Sequence, residues 1–227
     1  MVAPSRAPAD TTIMGVVHDA LRRDLVRSRE AVGATPPPGD AQRVAIADHL
    51  LWMMDFLHHH HHAEDVGLWP MVRARNPEAA AVLDRMSAEH AVVEPLLERV
   101  LAAARGYRAG DAGRAELLAA LDELSGPLLT HLGHEEDEAM PVVAATISQT
   151  EWRQWDREQN PTKGRPIRSV AMEGHWLMDG LDPARYDMLV RLVPAPARVV
   201  LVRGFARAYR TACARRWGPG VPVGPAR

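Results

Sequence analysis

The stretch HHHAEDVGLWP, residues 60–70, ends a run of five histidines (58–62) and recurs in outline as HLGHEEDEAMP at 131–141. His60, Glu64 and Pro70 are each repeated 71 residues later, as His131, Glu135 and Pro141. His18 has a counterpart 72 residues on, His90. A duplicated helix pair explains these intervals, with each half supplying one lone His and one His-x-x-x-Glu. On an α-helix, residues four apart share a face, about 6 Å apart along the axis. Such a His and Glu can point at one metal, or the Glu can bridge to a second. Glu64 therefore fixes the register of the histidine run and sets it apart from an affinity tag. Successive helical residues turn by about 100°, so five in a row cannot all face inward. His60 is expected to point in. His61 is expected to reach no closer than an outer partner of a ligand, and His58, His59 and His62 to lie at helix interfaces or in solvent.

Outward from these motifs the hydrophobic periodicity is helical everywhere. A helix over 11–31 carries Met14, Val17, His18, Leu21 and Leu25 on one stripe, and GATPPPGD (33–40) breaks it. A second over 40–65 carries Ile46, His49, Met53, Leu57, His60 and Glu64, with Pro70 marking its end. Asn76-Pro77 opens a third over 77–105, with Leu83, Met86, His90, Val93, Leu97 and Leu101 on one face. The fourth, over 112–138, aligns Leu117, Leu121, Leu124, Leu128, His131 and Glu135. Pro95 and Pro127 fall inside the third and fourth and should kink them locally. Four helices with short connections predict an all-α, up-down-up-down four-helix bundle over residues 1–145. Residues 146–227 are expected to form a C-terminal helical extension that packs on or caps the bundle. Its helices should span 149–159, 166–179, 183–192 and 195–217, followed by a frayed tail.

Four histidines and two carboxylates on inward-facing stripes would be costly to bury without a metal. A lone histidine on an apolar face reads as a hydrogen-bonded core residue; a symmetric set does not. Bundles that hold two irons or two manganeses use carboxylates and spaced His/Glu pairs from facing helices. Imidazole with carboxylate suits iron, manganese or zinc. His49 lies three turns before His60, too far to share its metal, and reads as a core histidine. His175 reads as a packed or surface residue.

Composition sets outer bounds. The formal net charge of the 227 residues is −2, which gives no sign of a nucleic-acid partner. From Met188 onward there are eight arginines and no Asp or Glu, read as a solvated helix face complementing an acidic neighbour. Cys213 is the single cysteine, so there is no internal disulfide, and it is expected to be packed. No stretch has the length of a membrane span, and MVAPSRAPADTT lacks a signal peptide's apolar core. A cytoplasmic protein is the expectation.

The motifs HDALRRDL (18–25), HHHAEDVGLWP (60–70), EHAVVEPLLERV (89–100) and HLGHEEDEAMP (131–141) resemble the hemerythrin-like, or HHE cation-binding, family. The last third resembles the helical extension of its actinobacterial members. The resemblance implies a hemerythrin-like bundle around two non-heme iron ions (Fe2+/Fe3+), carboxylate-bridged with an oxo bridge. Such a centre reacts with dioxygen, peroxide or nitric oxide. Carried over residue by residue, the implied metal ligands are His18, His60, Glu64, His90, Glu94, His131 and Glu135. Asp65 and Glu136 are outer partners of ligating imidazoles, with Glu136 an alternative bridge. Oxygen-carrying members have a fifth histidine four residues after the one in the third helix, where this chain has Glu94. An anionic ligand there would favour ferric iron and discount reversible oxygen storage. Arg22 occupies the position related to Glu94 by the repeat, which implies two unequal metals, the less-liganded one on the His18 side. The leading function is a redox enzyme, disproportionating peroxide or oxidising a small organic substrate with dioxygen. The alternative is a module that senses or binds dioxygen, nitric oxide or iron without turnover.

Overall fold

In a computed structural model of the chain, residues 7–160, 164–218 and 220–225 are described. The first six residues of the expected bundle unit, and residues 219 and 226–227 of the expected tail, lie outside the described residues. Four helical rods make up the first part. The first is Thr12–Gly33 (α1). The second runs through Asp40–Ala63 (α2), a π-helical segment Glu64–Leu68 and Trp69–Arg75 (α3). The third is Ala80–Ala109 (α4), entered by a 3-10 turn at Pro77–Ala79. The fourth joins Arg114–His134 (α5), a π-helical segment Glu135–Ala139 and Met140–Thr146 (α6). Helices α1 and α4 each pack against both α2 and α5, which closes the ring of a four-helix bundle. Among the described residues no strand forms; a single isolated bridge joins Pro8 and Ser148.

One expectation about proline needs correction. Pro70 does not end its helix, which continues to Arg75, and the fourth rod, expected over 112–138, runs through Pro141 to Thr146. A proline has no N–H and its ring collides with the carbonyl four residues back. The π segments just before these prolines relieve that conflict with one extra residue per turn. In each, an N–H reaches five residues back: Trp69 to the Glu64 carbonyl and Met140 to that of Glu135. Pro95 and Pro127 lie within α4 and α5 without ending them.

The bundle interior is layered. A large apolar cluster contains Leu50, Met53, Leu57, Val93, Leu97, Leu124 and Leu128. A second contains Met14, Leu68, Trp69, Leu83, Met86, Met140, Trp152 and Trp155. His18, His60, His61, His90 and His131 each fall in sequence between residues of one cluster and residues of the other. Apolar packing above and below therefore holds one polar layer.

The extension comprises Gln149–Gln159 (α7), Ile167–Met178 (α8), Pro183–Leu192 (α9), Ala195–Arg198 (α10), a π-helical segment Val199–Gly204, and Ala206–Trp217 (α11). Ser148 and Glu151 form a capping box at the start of α7, and Asp182 caps α9. The helix expected over 195–217 is interrupted at Phe205. Helix α11 packs on α1 and α2, and α8 packs on α1. The described tail is tied down rather than frayed. The Gly224 N–H donates to Asp179 (2.6 Å), and Gly180 donates to the Gly224 carbonyl (2.8 Å). Val221 and Val223 pack against the core, as does buried Cys213. The acidic neighbour expected for the arginine-rich end is missing: none of the described arginines beyond Met188 pairs with a carboxylate. Arg198 and Arg216 bond to backbone carbonyls, and Arg216 also to His49 and Cys213.

Candidate metal centre

Five histidines and two glutamates converge in the polar layer. His18 comes from α1, His60 and His61 from the end of α2, His90 from α4 and His131 from α5. Glu64 and Glu135 are the first residues of the two π segments and are fully buried. The Glu64 carboxylate straddles two imidazoles, with Oε1 3.1 Å from His60 Nε2 and Oε2 3.5 Å from His90 Nε2. Glu135 does the same, its Oε2 lying 3.2 Å from His18 Nε2 and 3.6 Å from His131 Nε2. Ring centroids separate His61 from His90 by 4.2 Å, His61 from His131 by 5.0 Å and His90 from His131 by 4.6 Å. His18 and His60 are 5.7 Å apart. Two donor groups result, His61/His90/His131 and His18/His60/Glu135, each with ligand atoms within 4.8 Å of one another.

The inward-facing atoms have no hydrogen-bond partner. This holds for Nε2 of His18, His60, His90 and His131, both ring nitrogens of His61, and all four carboxylate oxygens of Glu64 and Glu135. Buried polar atoms are ordinarily satisfied, and leaving so many unpaired in one place would be strongly destabilising. A cation accepted by imidazole nitrogen and carboxylate oxygen satisfies them all at once, so the donor set fits iron, manganese or zinc.

The outward-facing nitrogens are held by carboxylates, as metal-ligating histidines commonly are. His18 Nδ1 meets Glu136 at 2.8 Å, and Arg22 donates to the same oxygen at 2.7 Å. His90 Nδ1 meets Asp65 at 2.9 Å, and Ser87 donates to the other Asp65 oxygen at 2.7 Å. His131 Nδ1 lies 3.1 Å from Glu89, which also bonds His134 at 2.7 Å.

Burial penalises charge throughout the layer. It pushes His60 down to about 3, His131 to about 4 and His61 well below the ordinary histidine value. Burial, reinforced by the charge of Glu135, pushes Glu64 well above the usual carboxylate range. For His18, burial opposes protonation, but Glu135 and Glu136 outweigh it and raise the ring to about 9. For Glu135, burial would raise the carboxyl, but His18 beside it brings it down to about 2. Burial holds His60, His61 and His131 neutral and penalises the charge of Glu64, so the layer lacks the positive charge that a cation would supply.

Of the residues expected at a metal, His18, His60, Glu64, His90, His131 and Glu135 come together. Glu94 does not: its side chain is 39% exposed and pairs with His58 at 2.7 Å. The buried stripe of α4 steps from His90 to Val93 and Leu97, so the inward position after His90 is Val93. His61 departs from expectation the other way, at 3% exposure inside the cluster. Helix α2 lies between α1 and α4, so consecutive residues face different neighbours, His60 towards His18 and His61 towards His90. Asp65 and Glu136 stand as outer partners, and neither reaches the inward nitrogens. His58, His59 and His62 are exposed. Glu89 was missed, and its place in the repeat, one residue before His90 as Val17 precedes His18, carries no signal.

The family model described as the hemerythrin HHE cation binding domain matches residues 10–143. No curated protein and no solved structure matches the chain. The matched region takes in three rods whole, the fourth to within three residues of its end, and every residue of the polar layer, and the chain belongs to the hemerythrin HHE cation-binding family.

Proposed function

We propose that the chain is a non-heme di-iron protein that reacts with dioxygen or peroxide, most simply as a redox enzyme acting on a small molecule. In this reading residues 1–145 hold the metals and residues 146–227 cap the bundle. His18 and His60 would hold one iron and His61, His90 and His131 the other, and Glu64 and Glu135 would supply carboxylate oxygens to the pair. The observation that carries it is the set of inward-facing ligand atoms, none of which has a hydrogen-bond partner among the described residues. The family binds non-heme iron and small gases such as dioxygen. Bound iron supplies one-electron redox chemistry and Lewis-acid activation of a small oxidant. The chain's own residues hold the imidazoles in register through Glu136, Asp65 and Glu89, and keep the layer dry between two apolar clusters.

A second reading gains support from His61. With Glu94 outside the cluster, the donor set in this reading is five imidazoles and two carboxylates, without the anionic ligand that discounted reversible oxygen binding. The two iron positions remain unequal, with two histidines on the His18 side and three on the other. Binding or sensing of dioxygen or nitric oxide without turnover is therefore the competing function.

Elemental analysis with optical spectra of the ferrous, peroxide-treated and nitric-oxide-treated protein tests the centre. About two irons per chain, lost in His60→Ala and Glu64→Ala, is the expected result. Zinc alone, or no metal after growth in iron-rich medium, would overturn it. Sustained peroxide consumption assigns the enzyme; spectral change that reverses under vacuum without consumption assigns the binding protein.

A further inference from the structure

A second site lies away from the histidine layer and shares no residue with it. Between α2 of the bundle and α8 and α11 of the extension lies an open cavity of about 410 Å³. That volume falls within the range of small-molecule pockets. Trp52, Met172, Trp176 and Tyr209 provide its apolar surfaces. The indoles of Trp52 and Trp176 meet edge to face, 5.0 Å apart; Trp176 is buried behind the wall, and half-buried Trp52 offers aromatic surface to the cavity.

The charge in the wall is uncompensated. Its two acids are already engaged, Asp48 with Arg108 at 2.6 Å and Glu173 with Arg165 at 2.5 Å. Its arginines are not. Arg168 and Arg215 are exposed and reach no carboxylate. Arg216 is 8% exposed, and a buried guanidinium without an anion is costly. Its three partners are the Ala212 carbonyl, Cys213 Sγ and His49 Nδ1. A guanidinium has five N–H donors, so two remain unused. His49 cannot supply the missing charge. Arginine only donates and a carboxylate only accepts, so His49 takes the Arg216 bond at Nδ1 and gives its Nε2 proton to Asp24 (2.8 Å). That is the neutral imidazole.

We propose that this cavity binds a small aromatic carboxylate, the ring lying against Trp52 and Met172 in the apolar wall and the carboxylate taken by Arg216 with Arg168 and Arg215 at the rim. A bidentate carboxylate–guanidinium pair matches the two free N–H groups, and apolar walls with a few fixed polar groups match such ligands generally. The site stands independently of the metal reading, because no ligating residue lines it.

The probe is 2-naphthoate, titrated into the full-length protein and followed by tryptophan fluorescence and calorimetry, with neutral 2-naphthamide as comparison. Saturable quenching by naphthoate, with naphthamide at least about tenfold weaker, is expected from the loss of a charge-assisted pair. Arg168→Gln and Arg215→Gln, both exposed, should each weaken binding about two- to fivefold. Ala45→Phe, which narrows the cavity, should remove the heat of binding while the melting temperature holds. Equal affinity for the amide, or unchanged binding in Ala45→Phe, would overturn the proposal. So would the absence of naphthoate binding at millimolar concentration. Each result is read on protein with or without iron, so failure here leaves the metal centre untouched, and the reverse.

Discussion

The rings of His61 and His90 lie 4.2 Å apart and nearly parallel, with an interplanar angle of 14°, and neither Nε2 has a hydrogen-bond partner. Two imidazoles in this arrangement, on different helices and buried, suit a shared cation. His61→Ala should therefore remove metal as completely as His60→Ala. Glu94→Ala and His62→Ala should leave both iron content and optical spectrum unchanged, since one carboxylate pairs with His58 and the other ring is exposed. Iron per chain by elemental analysis of the four purified variants decides it; loss in Glu94→Ala would restore that residue as a ligand.

Glu136 and Asp65 hold the outer nitrogens of His18 and His90 at 2.8 and 2.9 Å. Removing the charge while keeping the shape, in Glu136→Gln and Asp65→Asn, should weaken iron binding about 10–100-fold without unfolding the bundle. The two variants should differ in which metal they loosen, because His18 and His90 fall in different donor groups. Chelator competition followed by spectroscopy of the residual iron separates them. Equal affinities for wild type and both variants would show that these acids merely decorate the surface.

The sequence made most of this site legible through its repeat. Offsets of 71 and 72 residues, with one His/Glu register, suffice to place His18, His60, Glu64, His90, His131 and Glu135 on inward stripes. His61 departs from that pattern because α2, packed between α1 and α4, has two inward directions. In α2 the doublets Ile46–Ala47 and Met53–Met54 are buried at seven-residue intervals, and His60–His61 continues them. That wide stripe, which a helix between two neighbours requires, was the available signal. Glu94 misled through family analogy, although the apolar stepping of α4 had already passed it by. The π segments were hidden because proline after a helix reads as a stop, and only tertiary packing decides whether the chain continues.

Gly67 lies in the π segment that begins at Glu64 and faces the extension. A Cβ built there would sit 2.8 Å from Trp155 Nε1 and 2.9 Å from Cδ1. That indole donates to the Ala63 carbonyl at 3.1 Å, so the ring cannot move without losing the bond. Gly67→Ala should destabilise the protein by about 1–3 kcal/mol through overpacking. The melting temperature should fall by about 2–4 °C for each kcal/mol in a chain of this size. Trp155→Phe should soften the effect, because the smaller ring yields room. A melting temperature unchanged by Gly67→Ala would mean that α7 does not seal this turn.

His49 makes stability depend on pH outside the metal layer. Burial, aided by the Arg216 guanidinium and opposed by Asp24, lowers the ring to about 4. Unfolded, it would return to the ordinary value near 6.5. Between these values the unfolded chain binds the extra proton, so stability rises with pH. The contribution is complete above about 6.5 and is lost as pH falls towards about 4. The shift corresponds to at most about 3 kcal/mol. His49→Gln keeps an acceptor for Arg216 and a donor for Asp24 but cannot titrate. Denaturant midpoints of metal-loaded wild type and His49→Gln, compared from pH 4 to 7, should lie close together near pH 7 and separate as pH falls, with the wild type steeper. Parallel curves would show that His49 keeps its ordinary value, and that the Arg216 contact does not hold it neutral.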